Sequence, residues 1–147
     1  MRPKFRAWDS AKKEMFKDTF AITESGQVVV VEQEDVVCPP DYVFVDHLVI
    51  MQSTGLKDKN GKEIFELDIL EIQGIRMVVK FGNYRYIEIL KRKDHALGTV
   101  YDGLGFYIEC INAADPDRIG PFEPETLKES VVIGNIYENA EMVREVK

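Results

Sequence analysis

Ile75, Met77, Val79 and Phe81 alternate with Arg76, Val78 and Lys80. A period of two belongs to a pleated strand, so this stretch is read as the clearest strand of the chain. Gly74 precedes it and Ile64 to Ile72 comes before that glycine, so a strand over 64–72 and a tight hairpin at Gln73-Gly74 are expected. Upstream, Lys4 to Asp9 alternates and reads as a first short strand, closed by a turn at Asp9-Ser10 and followed by an extended segment from Met15-Phe16. The β-branched run Val28-Val29-Val30-Val31 after Gly26 favours a largely buried strand. Pro39-Pro40 after Cys38 removes two amide donors and predicts an extended connection, after which Tyr42 to Met51 reads as one strand.

Asn60-Gly61 can supply the two positive φ angles of a type I′ turn. Gly82-Asn83 predicts a further turn, with a strand over Tyr84 to Leu90, and Asp102-Gly103-Leu104-Gly105 between Val100-Tyr101 and Phe106 to Ile111 predicts another hairpin. Residues 112–128, with three prolines, read as a surface loop with one helical turn at Glu125 to Lys128. Val131 to Tyr137 reads as the last strand. Asn139 then caps a short helix carrying Met142, Val143 and Val146 at helical spacing. No amphipathic helices of 10 to 15 residues separate the strands, which excludes a parallel α/β sheet. The expected fold is mainly β, antiparallel strands curled into a small SH3-like barrel, with an N-terminal β extension and a short C-terminal helix. It is read as a single domain over 1–147, divisible into an N-terminal β part at 1–50 and a barrel part at 51–147.

Composition narrows the function classes. The 147 residues carry 19 Lys and Arg against 26 Asp and Glu, a net charge of −7, with 45% hydrophobic and 31% charged positions. That balance supports a folded core and lowers the expectation of a protein whose main task is neutralising phosphates. No apolar run approaches the roughly 18 residues of a membrane span. The opening Met-Arg-Pro-Lys-Phe-Arg lacks the apolar stretch of a secretory leader. The cytoplasm is therefore the expected compartment, without membrane contact.

Three blocks of sequence resemble the YopX-like family of phage and prophage proteins: Lys4 to Asp9; Met51 to Glu66 with Asp68-Ile69; and Val132 to Asn139. The family usually carries Glu-Gly-Asp-Ile where this chain has Glu66-Leu67-Asp68-Ile69, a departure that removes a glycine just before a strand. The resemblance implies a mainly β fold with a barrel-like part, a phage or prophage origin in a bacterial host, and self-association. It implies no established activity.

Candidate chemistry is sparse. Cys38, His47, His95 and Cys110 are the soft ligands, and their spacing lacks the paired elements of a zinc site or a motif for a Cys-His nucleophile. Cys110, in alternation with Phe106 and Ile108, is expected as a small buried hydrophobe, and Trp8 and Phe5 as core anchors. Asp9, Glu66 and Asp68 offer oxygen ligands, but a hydrogen-bonded structural role is the better expectation for a strand carboxylate such as Asp68. No cofactor, metal or catalytic residue is assigned, and no enzyme is expected.

Two surfaces remain. Lys57, Asp58, Lys59, Asn60 and Lys62 surround a predicted turn and form a candidate partner loop. Lys80, Tyr84, Arg85, Tyr86, Lys91, Arg92 and Lys93 interleave cations with rings, as a single-stranded nucleic-acid surface does. The leading expectation is a non-enzymatic, oligomeric accessory protein that binds macromolecules: further copies of itself, and a host or phage protein. Nucleic-acid binding on a small barrel is the alternative, disfavoured by the net charge.

Overall fold

Strands dominate residues 2–92, 95–112 and 119–144, the residues described by a computed structural model, and the sheets are antiparallel. The chain divides into two compact units, one spanning Phe5–Met51 and the other combining Met1–Lys4 with Gln52–Lys147.

The smaller unit contains β1 (Phe5–Asp9), β2 (Glu14–Met15), β3 (Phe20–Ile22), β4 (Val28–Glu32) and β5 (Asp41–Val45). Strand β4 is central to a sheet of order β3-β4-β5. Ala7, Val30 and Leu48 make a small core lined by Phe16, Phe20, Val28, Val45 and Ile50. Trp8 is buried, whereas Phe5, at the open N-terminal end of β1, is exposed and anchors no core, although it lies on the same strand face as the buried Ala7. The single strand expected over Tyr42 to Met51 is broken at Asp46-His47. There the His47 carbonyl is drawn out of ladder pairing to accept the amide and hydroxyl hydrogens of Ser10 at 3.1 and 2.7 Å. After the break, β6 (Leu48–Lys57) runs on from this unit into the larger one.

The larger unit continues with β7 (Glu63–Phe65), β8 (Asp68–Ile72), β9 (Ile75–Arg92), β10 (His95–Cys110), β11 (Ile119–Pro121), helix α1 (Pro124–Leu127), β12 (Val131–Asn135) and helix α2 (Ala140–Arg144). Five strands in the order β11-β10-β9-β8-β12 form an antiparallel sheet that curls into a half-barrel. Its centre is covered on both sides, since successive side chains leave opposite faces of a strand. On one face Leu70, Met77 and Val79 pack with Ile64 and Leu127; Cys110 joins this cluster half-buried. On the other, Ile69, Val78 and Ile111 meet Ile133, Ile136, Met142 and Val143. Helix α1, opened by a proline, and helix α2 each contribute residues to one of these clusters.

Several expected turns resolve differently. Gln73 and Gly74, at φ 49° and 80°, make the expected two-residue hairpin between Ile72 and Ile75. The strand expected over 64–72 is instead two strands, because Leu67 takes a φ of 69° and turns the chain. The buried Asp68 carboxylate secures that turn by accepting the Phe65 amide hydrogen at 2.8 Å. The Asn60-Gly61 turn is not type I′, since only Gly61 has a positive φ. Asp58 organises it instead, accepting the amide hydrogens of Asn60 and Lys62 at 2.9 and 2.8 Å.

The turns expected at Gly82-Asn83 and at Asp102 to Gly105 do not exist. Gly82 pairs directly with Gly105, and both lie inside one continuous ladder running from Met77↔Cys110 to Arg92↔His95. Their φ angles of 154° and 151° occupy a region open to glycine, so both turn signals mark one opposed glycine pair inside a long hairpin. Part of the expected 112–128 loop is β11, paired with Tyr107 to Glu109. Asn139 does not cap α2 with its side chain, which accepts the Asn135 amide hydrogen at 3.1 Å. Val146 lies outside the described residues.

Candidate interaction surface

Strand β8 pairs with β9 only over Ile75 to Val78, and β11 with β10 only over Tyr107 to Glu109. Beyond the glycine pair, β9 and β10 therefore pair only with each other among the described residues, as a two-stranded arm. A two-stranded ribbon in water is marginal by itself, and both of its outer edges leave ladder groups open.

The two faces of the arm differ. One carries a stack of tyrosines: Tyr107 to Tyr84 at 5.3 Å between ring centroids, Tyr84 to Tyr86 at 6.3 Å, and Tyr86 to Tyr101 at 5.0 Å. Tyr84 lies over Gly103, where a Cβ would collide with its ring, the covering of a strand glycine by an aromatic neighbour. Desolvation among these rings, and then the neighbouring Tyr101, Glu88, Tyr84 and Glu123, push the Tyr86 phenol above its ordinary pKa. The other face presents Ile87 paired with Val100, Ile89 opposite Gly98, Leu104 opposite Asn83, and Phe81 against Phe106. Ile87, Val100 and Leu104 are 51%, 55% and 73% exposed, far above what isolated core-type residues require.

The arm divides the predicted basic and aromatic cluster. Arg85 lies on the face opposite Tyr84 and Tyr86, and its guanidinium meets Asp102, its register partner, at 2.6 Å. Lys80 shares the tyrosine face and is paired with Glu109 at 3.0 Å. Lys91 and Arg92 occupy the last positions of β9, opposite Ala96 and His95, while Lys93 lies outside the described residues. The apolar rows of the arm escape a reading based on turns, because the two glycine signals hide the continuity of both strands; the alternation of Ile87 and Ile89 with Glu88 is the trace that points to it.

In the predicted partner loop, Lys57, Lys59, Asn60 and Lys62 are exposed, but Asp58 is buried and serves the loop itself. Of the soft ligands, Cys38 is exposed, Cys110 packs against the core, His47 lies 3.8 Å from Asp9, and His95 is exposed at the start of β10. Among the described residues no three His, Cys, Asp or Glu side chains converge as a metal site. No helix among them is long and apolar enough to cross a membrane.

Fold and surface together define a small, mainly β protein with a long two-stranded hairpin. The model of the YopX protein family matches residues 4–144, so the chain belongs to that family. Among solved structures it is similar to the crystal structure of protein EF1440 from Enterococcus faecalis, with 27% identity, a TM-score of 0.46, and coverage of 97% of this chain and 99% of that one. A comparison with curated proteins returns no match.

Proposed function

We propose that this protein is a non-enzymatic accessory module of phage or prophage origin, acting in the bacterial cytoplasm, that assembles with copies of itself through the β9–β10 arm. The observation that carries the reading is the arm: beyond the glycine pair, two strands that bond only to each other among the described residues, with exposed Ile87, Ile89, Val100 and Leu104 on one face and a tyrosine ladder on the other. Such a ribbon gains stability from a covering layer, and a second arm supplies both apolar area and strand edges. Self-pairing suits this face because its central charges, Arg85 and Asp102, already neutralise each other. The family resemblance supports the same reading.

Sedimentation velocity at micromolar concentration tests it. A whole multiple of the chain mass is expected, falling to the monomer in the double variant Ile87→Lys with Val100→Glu. A monomeric parent protein, or an assembly indifferent to these substitutions, overturns the reading.

A further inference from the structure

Two of the sequence blocks that the assembly reading leaves unused meet in one concavity of the larger unit. A cavity of about 290 Å³ is lined by Arg2, Pro3, Lys4, Gln52, Ser53, Gly55, Lys57 and Glu63. Its floor is built locally. Gly55, at φ 79°, turns the chain so that its amide donates to Ser53 Oγ at 3.0 Å, and the buried Ser53 hydroxyl donates in turn to Glu63 Oε2. The other Glu63 oxygen stands 3.6 Å from Lys4 Nζ. Lys57 faces Glu63 across the β6–β7 ladder.

Three cations thus line one small depression on a chain whose net charge is −7, against a single carboxylate already held by a hydroxyl and an ammonium. The lining carries two net positive charges, the complement of a phosphate dianion. Arg2 offers a planar fork of donors suited to such an oxyanion, and Lys4 and Lys57 offer point charges. Concave walls focus that field, whereas scattered surface lysines dissipate it into solvent. Gln52 adds a neutral polar group on the wall.

We infer that this concavity is a binding site for a phosphate group, either free or carried by a small phosphate monoester. Glu63 is its internal counter-charge: it positions Lys4 while the site is empty and opposes the anion once one enters. Removing its charge should therefore tighten binding, although the residue is part of the wall.

Amide chemical-shift titration with inorganic phosphate, and in parallel with methyl phosphate, tests the site at low ionic strength. Saturable shifts are expected at Lys4, Ser53, Gly55 and Lys57, with tighter binding of methyl phosphate marking an ester site and equal or weaker binding marking free phosphate. Arg2→Met with Lys57→Met should weaken binding at least about tenfold, since it removes two of the three charged donors that line the depression. Both side chains are exposed, so the fold tolerates the change. Glu63→Gln, which keeps an acceptor for Ser53, should strengthen it several-fold, and Lys17→Met in the smaller unit should leave it unchanged. Shifts that do not saturate, that lie elsewhere, that survive the double substitution, or that weaken in Glu63→Gln overturn the inference.

Discussion

The Asp58 carboxylate accepts the amide hydrogen of Val132 at 2.9 Å across 74 positions of sequence. Its other oxygen holds the amides of Asn60 and Lys62, so one side chain shapes a loop and ties it to the edge strand of the half-barrel. Asp58→Ala leaves three amides to find water or go unpaired, and should cost about 2 to 3 kcal/mol at neutral pH. Burial by itself raises the Asp58 carboxyl, but the amides of Val132, Lys62 and Asn60 and the Lys62 charge hold it below the ordinary 3.8. A folded-state pKa below the unfolded value stabilises the protein above the ordinary carboxylate range, and that gain is lost as pH falls through the folded value. Urea midpoints of parent and variant should therefore converge below about pH 4. A difference independent of pH would refute this.

Leu67 bends the chain at a position where the left-handed backbone costs a leucine about 1 to 2 kcal/mol. Its half-buried side chain recovers a similar amount against Ile69, Val78 and Ile111. Leu67→Gly should consequently change unfolding free energy by less than about 1 kcal/mol, whereas Leu67→Val, branched at Cβ, should cost about 1 to 2 kcal/mol. Chemical denaturation of the two variants side by side decides it; a large loss in the glycine variant would mean that packing outweighs strain.

Gly134 sits at the irregularity between β12 and β8, where a Cβ would collide with the Asn139 carboxamide. That carboxamide accepts the amide hydrogen of the buried Asn135. Gly134→Ala should cost about 1 to 3 kcal/mol by displacing it. Asn139→Ala loses the same bond, so the double variant should be clearly less destabilised than the sum of the two singles. Additive losses in thermal unfolding would separate the two residues.

Nucleic acid should not bind appreciably at about 0.15 M salt, where the protein's excess of carboxylates is still felt within the roughly 8 Å Debye length. Arg85 and Lys80 spend their charges on Asp102 and Glu109. Fluorescence anisotropy with single- and double-stranded DNA and RNA checks this. Submicromolar binding that disappears when Lys91, Arg92 and Lys93 become Ala would establish the alternative reading instead.

The strand content, the Gln73-Gly74 hairpin and the structural role of Asp68 were legible in the sequence, because each rests on neighbours within a few positions. Alternation and β-branching act locally, and so does the positive φ that a two-residue turn demands. What only the tertiary structure decided depends on partners far along the chain. Gly82 and Gly105 look like two turns until the register sets them opposite each other, and the arm they interrupt is visible only as a pair of strands. Tyr84 and Arg85 are adjacent in sequence, yet alternation parts them onto opposite faces and a register partner claims the arginine. Asp58 reads as a loop charge because its decisive contact, Val132, lies 74 residues away. Leu67 bends where its own conformational preference opposes the bend, because Asp68 fixes the turn and the surrounding apolar cluster compensates the strain.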